Sequence, residues 1–146
     1  MDLAEFDLEP TGATMEVLHP KTGEPLYLMD GPADETTGEP TAGTKITLTV
    51  VGLDSPELKE REQAKIDKIL SQTKPKAPKA AEIEEDRIGD LATSVKGWTG
   101  IVLDGKTLEF NRRNVITVLK RAPWLRRQLD TFLSDHRNFL KASPTS

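Results

Sequence analysis

The most regular hydrophobic pattern in the chain is the alternation of apolar and polar residues over 44–51. Ile46, Leu48 and Val50 fall on one face of a strand, because successive side chains of a strand point to opposite faces. Two shorter apolar segments, residues 15–18 and 26–29, flank a loop with proline near both ends. They predict a β-hairpin, with residues 44–51 lying antiparallel beside it as a third strand.

The middle of the chain has helical periodicity on both sides of a break. Asp54 or Ser55 followed by Pro56 is typical of a helix start, and the pattern predicts a helix that ends near residue 71. Its apolar side is predicted to consist of Leu58, Ile66, Ile69 and Leu70. A proline-lysine linker over 74–79 then separates it from a second helix over 80–96. We expect Gly-Trp-Thr-Gly at 97–100 to end that second helix.

Three features organise the last third of the chain. Asp104-Gly105 predicts the tight turn of a small hairpin between residues 101–103 and 107–110. Asn111 is predicted to cap a helix that buries Val115, Ile116, Val118 and Leu119. Pro123 is predicted to begin a final helix that reaches residue 140, with one apolar stripe: Leu125, Leu129, Phe132, Leu133, His136 and Leu140.

Together these elements predict an α+β fold, with a small N-terminal antiparallel sheet followed by a mainly helical C-terminal part that contains a short β-hairpin. We expect three regions: residues 1–53 as a β region with a mobile arm, 54–79 as a helix and linker, and 80–146 as a helical region. A chain of 146 residues is about the size of one domain. Trp98 and Trp124 are expected to anchor its helical core.

Composition changes this picture in two ways. The chain has no cysteine, which excludes disulfides, thiolate metal sites and a cysteine nucleophile. Its formal net charge of −4 hides a gradient, since residues 1–60 carry 13 acidic and 3 basic residues, whereas residues 111–146 carry 2 acidic and 8 basic ones. Such a chain could pair its own ends or meet a partner of matching polarity. The acidic N-terminus and the absence of a long apolar run predict a soluble, non-secreted protein.

Candidate catalytic residues are few. His19 lies in a loop beside a proline, and His136 lies on the apolar stripe of the predicted final helix. Adjacent residues of a helix point about 100° apart, so Asp135 and His136 are poorly placed to share a proton. No glycine-rich phosphate loop, nucleophile elbow or histidine metal motif occurs. We therefore expect no enzyme, no cofactor and no metal site.

Nucleic-acid binding is the sharper alternative. Basic residues cluster in the two predicted C-terminal helices: Arg112, Arg113, Lys120, Arg121, Arg126, Arg127, Arg137 and Lys141. Against this, the acidic N-terminal region would repel phosphate. In addition, Trp124, Phe132 and Phe139 alternate with leucines at helical spacing instead of accompanying the arginines as a stacking surface. We keep a small nucleic-acid-binding regulator as a secondary hypothesis.

Six short segments carry a resemblance to a known family. In the C-terminal half, residues 95–98, 108–111, 122–129 and 135–140 read Val-Lys-Gly-Trp, Leu-Glu-Phe-Asn, Ala-Pro-Trp-Leu-Arg-Arg-Gln-Leu and Asp-His-Arg-Asn-Phe-Leu. In the N-terminal half, residues 19–26 and 51–57 read His-Pro-Lys-Thr-Gly-Glu-Pro-Leu and Val-Gly-Leu-Asp-Ser-Pro-Glu. Together they resemble the tail assembly chaperones of long-tailed, siphovirus-like bacteriophages. His136 and the linker at 74–79 depart from the family pattern.

The resemblance implies a non-enzymatic role in the host bacterial cytoplasm. Such chaperones bind the very long, helical tape measure protein, keep it soluble and bring tail tube subunits to it. They are generally absent from the finished virion, and many have a second, longer form made by ribosomal frameshifting. A structural tail or head-tail component that stays in the virion is the main alternative.

The physics of that role predicts an apolar surface with a polar rim, which could also favour homo-oligomers. We place the partner-binding residues on the final helix. The apolar contacts are predicted to be Leu125, Leu129, Phe132, Leu133 and an exposed Phe139, and the rim is predicted to be Arg126, Arg127 and Arg137. For Leu129 and Leu133 the alternative, a place in the core, is the favoured one.

Overall fold

The computed structural model describes residue 3 and residues 12–72, 74 and 77–140. It has the predicted α+β fold, with an antiparallel sheet, four α-helices and a small two-stranded hairpin. The mobile arm is expected over residues 1–14; only residues 3 and 12–14 of it are described, and residues 13 and 14 belong to a strand. Part of the proline-lysine linker and residues 141–146 also lie outside the described residues.

The sheet has three antiparallel strands in chain order: β1 (Ala13–Glu16), β2 (Thr47–Val50) and β3 (Val95–Thr99). Leu48 of the central strand pairs with Met15 on one side and with Trp98 on the other. The predicted alternation is present over Thr47–Val50, where Leu48 and Val50 are buried while the two threonines are only partly covered. Beyond this strand it is not kept, since Ile46 is only half-buried and Val51 is buried.

The third strand of this sheet differs from the prediction. Residues 26–28 do pair with residues 44–46, since Leu28 N donates to Thr44 O (2.7 Å) and Ile46 N to Leu26 O (2.9 Å). The predicted hairpin over 15–18 and 26–29 forms only at its loop end, where Leu26 N donates to Val17 O (2.9 Å), His19 N donates to Glu24 O (2.7 Å) and an isolated bridge joins Leu18 and Pro25. The sheet is completed by β3, which the sequence pattern assigned to the end of a helix.

Two helices lie side by side as an antiparallel pair, α1 (Pro56–Leu70) and α2 (Ala80–Ser94). The predicted bounds of α1 are confirmed, but its predicted apolar side is wrong. Leu58 is buried, whereas Ile66, Ile69 and Leu70 are exposed. The two helices are joined by ion pairs instead of a continuous apolar seam: Arg61 and Lys65 of α1 contact Asp86 and Asp90 of α2. Ser55 occupies the cap position of α1 without a side-chain capping bond.

The second helix ends earlier than predicted. It stops at Ser94, whose buried hydroxyl donates to Leu91 O (2.6 Å), and Val95 is already extended. Residues 95–99 leave the helix because Val95 is buried and Trp98 packs against the core. The Gly-Trp-Thr segment therefore belongs to a strand and not to a helix end.

The small hairpin follows as predicted, with β4 (Val102–Leu103) and β5 (Lys106–Thr107) joined at Asp104-Gly105. Both turn residues have positive φ, 50° and 79°, which is the conformation that Asp-Gly tolerates best. Helix α3 (Arg112–Arg121) begins at Asn111, whose side chain accepts from Asn114 N at 2.8 Å, so the predicted cap is confirmed.

The last predicted helix is shorter than expected. Helix α4 (Pro123–Ser134) is followed by a 3-10 turn (His136–Phe139), and the chain bends between them at Asp135. The Asp135 carboxylate accepts from Arg137 N (3.1 Å), so it caps a new turn instead of continuing the old helix. The prediction of one helix to residue 140 is therefore wrong beyond Ser134.

The core lies between the sheet and helices α2, α3 and α4. Trp98 and Trp124 contribute to it only in part, since both are half-buried. Ile116 is also half-buried, whereas the other three predicted residues of α3 are fully enclosed. Over the described ranges, no helix is long and apolar enough to cross a membrane.

Candidate functional site

The structure places most of the predicted apolar contact residues in the core. Leu125, Leu129 and Leu133 are buried beneath α4, which follows their spacing of four residues. Phe139, predicted to be exposed, is 4% exposed, so that prediction is wrong. The bend at Asp135 turns the chain back and brings the Phe139 ring edge-on to Phe132, with 5.4 Å between the ring centroids. Of the five apolar residues, only Phe132 keeps part of its surface.

The three predicted rim arginines have different environments. Arg126 is mostly covered and its Nη1 contacts Glu84 Oε1 at 3.0 Å. Arg137 is exposed but its guanidinium binds Asp135 at 2.8 Å. Arg127 is exposed and forms no ion pair with any residue that the structure describes. It is therefore the rim residue best placed to meet a charge on another molecule.

Helix α2 forms ion pairs with the basic C-terminal region. Lys120 contacts Glu85 at 2.8 Å, Arg126 contacts Glu84, and Arg87 pairs with Asp130 in the opposite sense. Among the described residues, the basic C-terminus is thus paired with the middle of the chain and not with its acidic N-terminal region. The pairs of Lys120 and Arg126 with glutamates lower the positive potential that a phosphate backbone would meet, whereas the Arg87–Asp130 pair has the opposite effect.

An apolar cleft of about 330 Å³ opens beside Trp124. It lies where the end of α3 and the start of α4 face the hairpin and the edge of the N-terminal β region. We call it the Trp124 cleft and define it by these lining residues: Val17, Leu26, Ile46, Val102, Ala122 and Trp124. Among the described residues that line it, Arg121 alone is charged.

The one charged residue described in the lining of the Trp124 cleft, Arg121, is paired with a residue of the hairpin turn. Arg121 forms two hydrogen bonds with the Asp104 carboxylate, at 3.0 and 3.2 Å. Val102, on the hairpin strand beside that turn, is 44% exposed although it is apolar. The cleft therefore presents an apolar floor with a paired polar rim, an arrangement suited to apolar side chains of a partner.

A second, more open groove of about 430 Å³ runs between β1 and α4. We call it the Phe132 groove. Its described lining comprises Met15, Glu16 and Leu18 from the strand side, and Arg127, Gln128, Thr131, Phe132, Asp135 and Asn138 from the helix side. Two of the predicted contact residues, Arg127 and Phe132, meet in this groove. The cleft and the groove lie on either side of the Val17-Leu18 segment.

Sequence reasoning missed most of the Trp124 cleft. Leu26, Ile46 and Val102 come from three distant parts of the chain, and only the fold brings them beside Trp124. One local signal was available. Residues 101–103 are three consecutive apolar residues in a short hairpin, and a strand can bury only every second side chain against one face. An exposed apolar residue at Val102 follows from that pattern.

The described polar groups do not converge on a reaction centre. His19 Nδ1 accepts from the backbone N–H groups of Lys21 (3.0 Å) and Thr22 (3.3 Å), so it organises its own exposed loop. Nothing is described of the His136 side chain. In the part of the chain that the structure describes, no group of three or more acidic or histidine residues could hold a metal ion.

Comparison of the chain with protein-family models, with curated proteins and with solved structures gave no match.

Proposed function

We propose that this chain is a tail assembly chaperone of a long-tailed bacteriophage, which binds the tape measure protein, keeps it soluble and recruits tail tube subunits. The observation that supports it most is the meeting of two resembling segments at one surface. Leu26 closes the N-terminal segment 19–26, and Ala122 and Trp124 belong to segment 122–129. All three line the Trp124 cleft, although almost 100 residues separate them along the chain.

The shape and chemistry of the cleft fit the proposed task. A long amphipathic helix that has not yet assembled exposes a row of apolar side chains, and an apolar cleft with a polar rim can cover one or two of them. Burying apolar surface gives affinity without demanding a particular sequence, because the hydrophobic effect is non-directional. A chaperone that must bind many turns of one long helix needs that tolerance.

The remaining parts of the proposal follow from the family resemblance alone. They are action in the host cytoplasm, absence from the mature virion, a possible homo-oligomer and a longer frameshifted form. The main alternative, a structural tail component, makes the opposite prediction about the virion. Mass spectrometry of purified virions separates the two, since a chaperone is absent from the particle and a structural component is present in a fixed copy number.

A direct test of the chaperone role is co-expression with the tape measure protein of the same phage. We expect the tape measure protein to be insoluble alone and to be recovered as a soluble complex with this chain. A tape measure protein that is equally soluble without this chain would contradict the proposal. Salt-dependent binding of the isolated chain to DNA would instead favour the nucleic-acid hypothesis.

A further inference from the structure

The outer edge of β1 faces the Phe132 groove. Among the described strands, β1 lies at the edge of the sheet, since the strand order places it beside β2 alone. Edge strands carry a row of backbone N–H and C=O groups that can pair with another strand. The groove that borders this edge is lined by Glu16 and Leu18 on the strand side and by Phe132 on the helix side.

The register identifies which backbone groups face outward. Val17 N donates to Ile46 O (3.0 Å), and in an antiparallel ladder the residues that bond to the neighbouring strand alternate with those that do not. Met15 and Ala13 therefore bond toward β2, whereas Thr14, Glu16 and Leu18 present their N–H and C=O groups to the opposite edge. In the described part of the chain, no strand or side chain pairs with the outward groups of Thr14 and Glu16.

Leu18 shows how that edge is satisfied when a partner is present. Its N–H donates to Gln128 Oε1 at 2.9 Å, and its C=O accepts from Gln128 Nε2 at 2.8 Å. The side-chain amide thus occupies the place that a residue of a further strand would take. It also shows that the outward groups of this edge point across the groove toward α4.

The charges of the groove define what else an added strand should carry. Glu16 is bound by Lys45 at 2.8 Å, and Asp135 is bound by Arg137. Arg127 has no ion pair with a described residue and lines the same groove. Among the described residues of the groove, the charge left to be matched is therefore positive, and Phe132 and Met15 supply apolar surface beside it.

We propose that the Phe132 groove binds an extended segment of another protein, which adds to the edge of β1 as a strand, with apolar side chains toward Phe132 and an acidic residue at Arg127. Such β-augmentation takes its affinity from main-chain hydrogen bonds and its specificity from alternate side chains. The site is separate from the Trp124 cleft and does not depend on the proposed chaperone function.

The test uses the full chain and a synthetic probe, an end-capped peptide of sequence Thr-Val-Glu-Val-Glu-Val-Thr. We expect it to bind, and we expect the same peptide with N-methyl groups on alternate amides to bind at least about tenfold more weakly, because it cannot pair with a strand edge. Binding is measured by isothermal titration calorimetry. Equal affinity of the two peptides would overturn the proposal, as would no binding of either.

Two protein variants locate the site. Arg127→Glu should weaken binding about tenfold, as expected when an attractive charge pair becomes repulsive. Arg113→Glu is the matched control, because Arg113 is also exposed but lies on α3 away from the groove, and it should leave affinity unchanged. If both variants weaken binding equally, the peptide responds only to the overall charge of the protein and not to the Phe132 groove, which would overturn the proposal.

Amide hydrogen exchange separates a partner strand from the chain's own residues. The amides of Thr14 and Glu16 should exchange rapidly in the free protein and become protected when the peptide is added. Protection of both amides before any peptide is present would mean that this chain itself covers the edge, which would overturn the assignment to a partner protein.

Discussion

Gln128 holds the backbone of Leu18 through both ends of its side-chain amide, with hydrogen bonds of 2.9 and 2.8 Å. The two residues are 110 positions apart, so this contact fixes the end of β1 against α4. It also sets the boundary between the two binding surfaces, because Val17 lines the Trp124 cleft and Leu18 lines the Phe132 groove. The Gln128 side chain thus helps to position both the Trp124 cleft and the Phe132 groove.

Replacing Gln128 by glutamate should destabilise the protein. The carboxylate can still accept a hydrogen bond from Leu18 N–H, but it cannot donate one to Leu18 C=O. One of its oxygens instead lies against the carbonyl oxygen of Leu18, and the two repel each other. We expect a loss of about 1–2 kcal/mol in the free energy of unfolding, measured by urea denaturation. Gln72→Glu makes the same chemical change at an exposed site and should change stability by less than about 0.5 kcal/mol. Equal stability of the two variants would show that the Leu18 contact contributes nothing.

Phe139→Ala should lower the stability of the fold, and any effect on partner binding would follow from that loss. The ring is buried against Phe132 and lies against Gly52, so its removal leaves a cavity and should cost about 3–5 kcal/mol. Phe110→Ala is the matched control, since Phe110 is partly exposed where it contacts Trp98 and should cost less. The comparison is made by thermal unfolding. If the Phe139→Ala variant has the same melting temperature as the wild type, the Phe139 ring is not buried in the core.

Asp90 should make the stability of the protein depend on pH. Partial burial by itself would raise the pKa of Asp90, but hydrogen bonds and positive charge from Lys65 and Arg61 outweigh it and hold the pKa below its ordinary value of 3.8. A carboxyl group whose pKa is lower in the folded state stabilises the fold above the unfolded pKa, and this contribution disappears as the pH falls through the folded pKa.

Asp90→Asn removes that contribution. At pH 7 we expect it to cost about 1–2 kcal/mol, between the values typical of exposed and buried ion pairs. The difference from wild type should shrink as the pH falls below the ordinary pKa, in denaturation curves recorded from pH 7 to pH 2. The control is Asp67→Asn, because Asp67 is exposed and accepts from Gln63 within its own helix. A cost for Asp90→Asn that stays constant across this range would contradict the lowered pKa.

The parts of the fold that the sequence predicted correctly are those set by neighbouring residues. The Asp104-Gly105 turn, the Asn111 cap and the start of α1 at Pro56 depend on interactions within a few positions. The errors arose where the local conformation depends on contacts with residues that are distant in the sequence. Val95 leaves helical geometry to enter the sheet, and Phe139 turns back onto Phe132, without a local signal beyond a glycine in one case and Asp135 in the other.

The candidate site follows the same division. Trp124 and the rim arginines could be singled out from their segment, but their surroundings could not. Arg126 is neutralised by Glu84 from another helix, and the floor of the Trp124 cleft comes from Leu26 and Ile46. A helical stripe in the sequence cannot distinguish core from contact surface, because both have the same spacing.

We propose that the tape measure protein binds in the Trp124 cleft, and the Val102→Glu variant provides a direct test. Val102 lines the cleft but is substantially exposed, so the Val102→Glu variant should still fold. The new carboxylate then places a charge in the apolar site. Ile83→Glu is the matched control, since Ile83 is exposed on α2 and is absent from the lining of the cleft.

The measurement is the amount of soluble tape measure protein recovered on co-expression with the wild type and with each variant, after circular dichroism has shown that both variants are folded. We predict that the wild type and Ile83→Glu recover the complex equally, and that Val102→Glu loses most of it, because a buried unpaired charge is costly. Full recovery with a folded Val102→Glu variant would contradict the account.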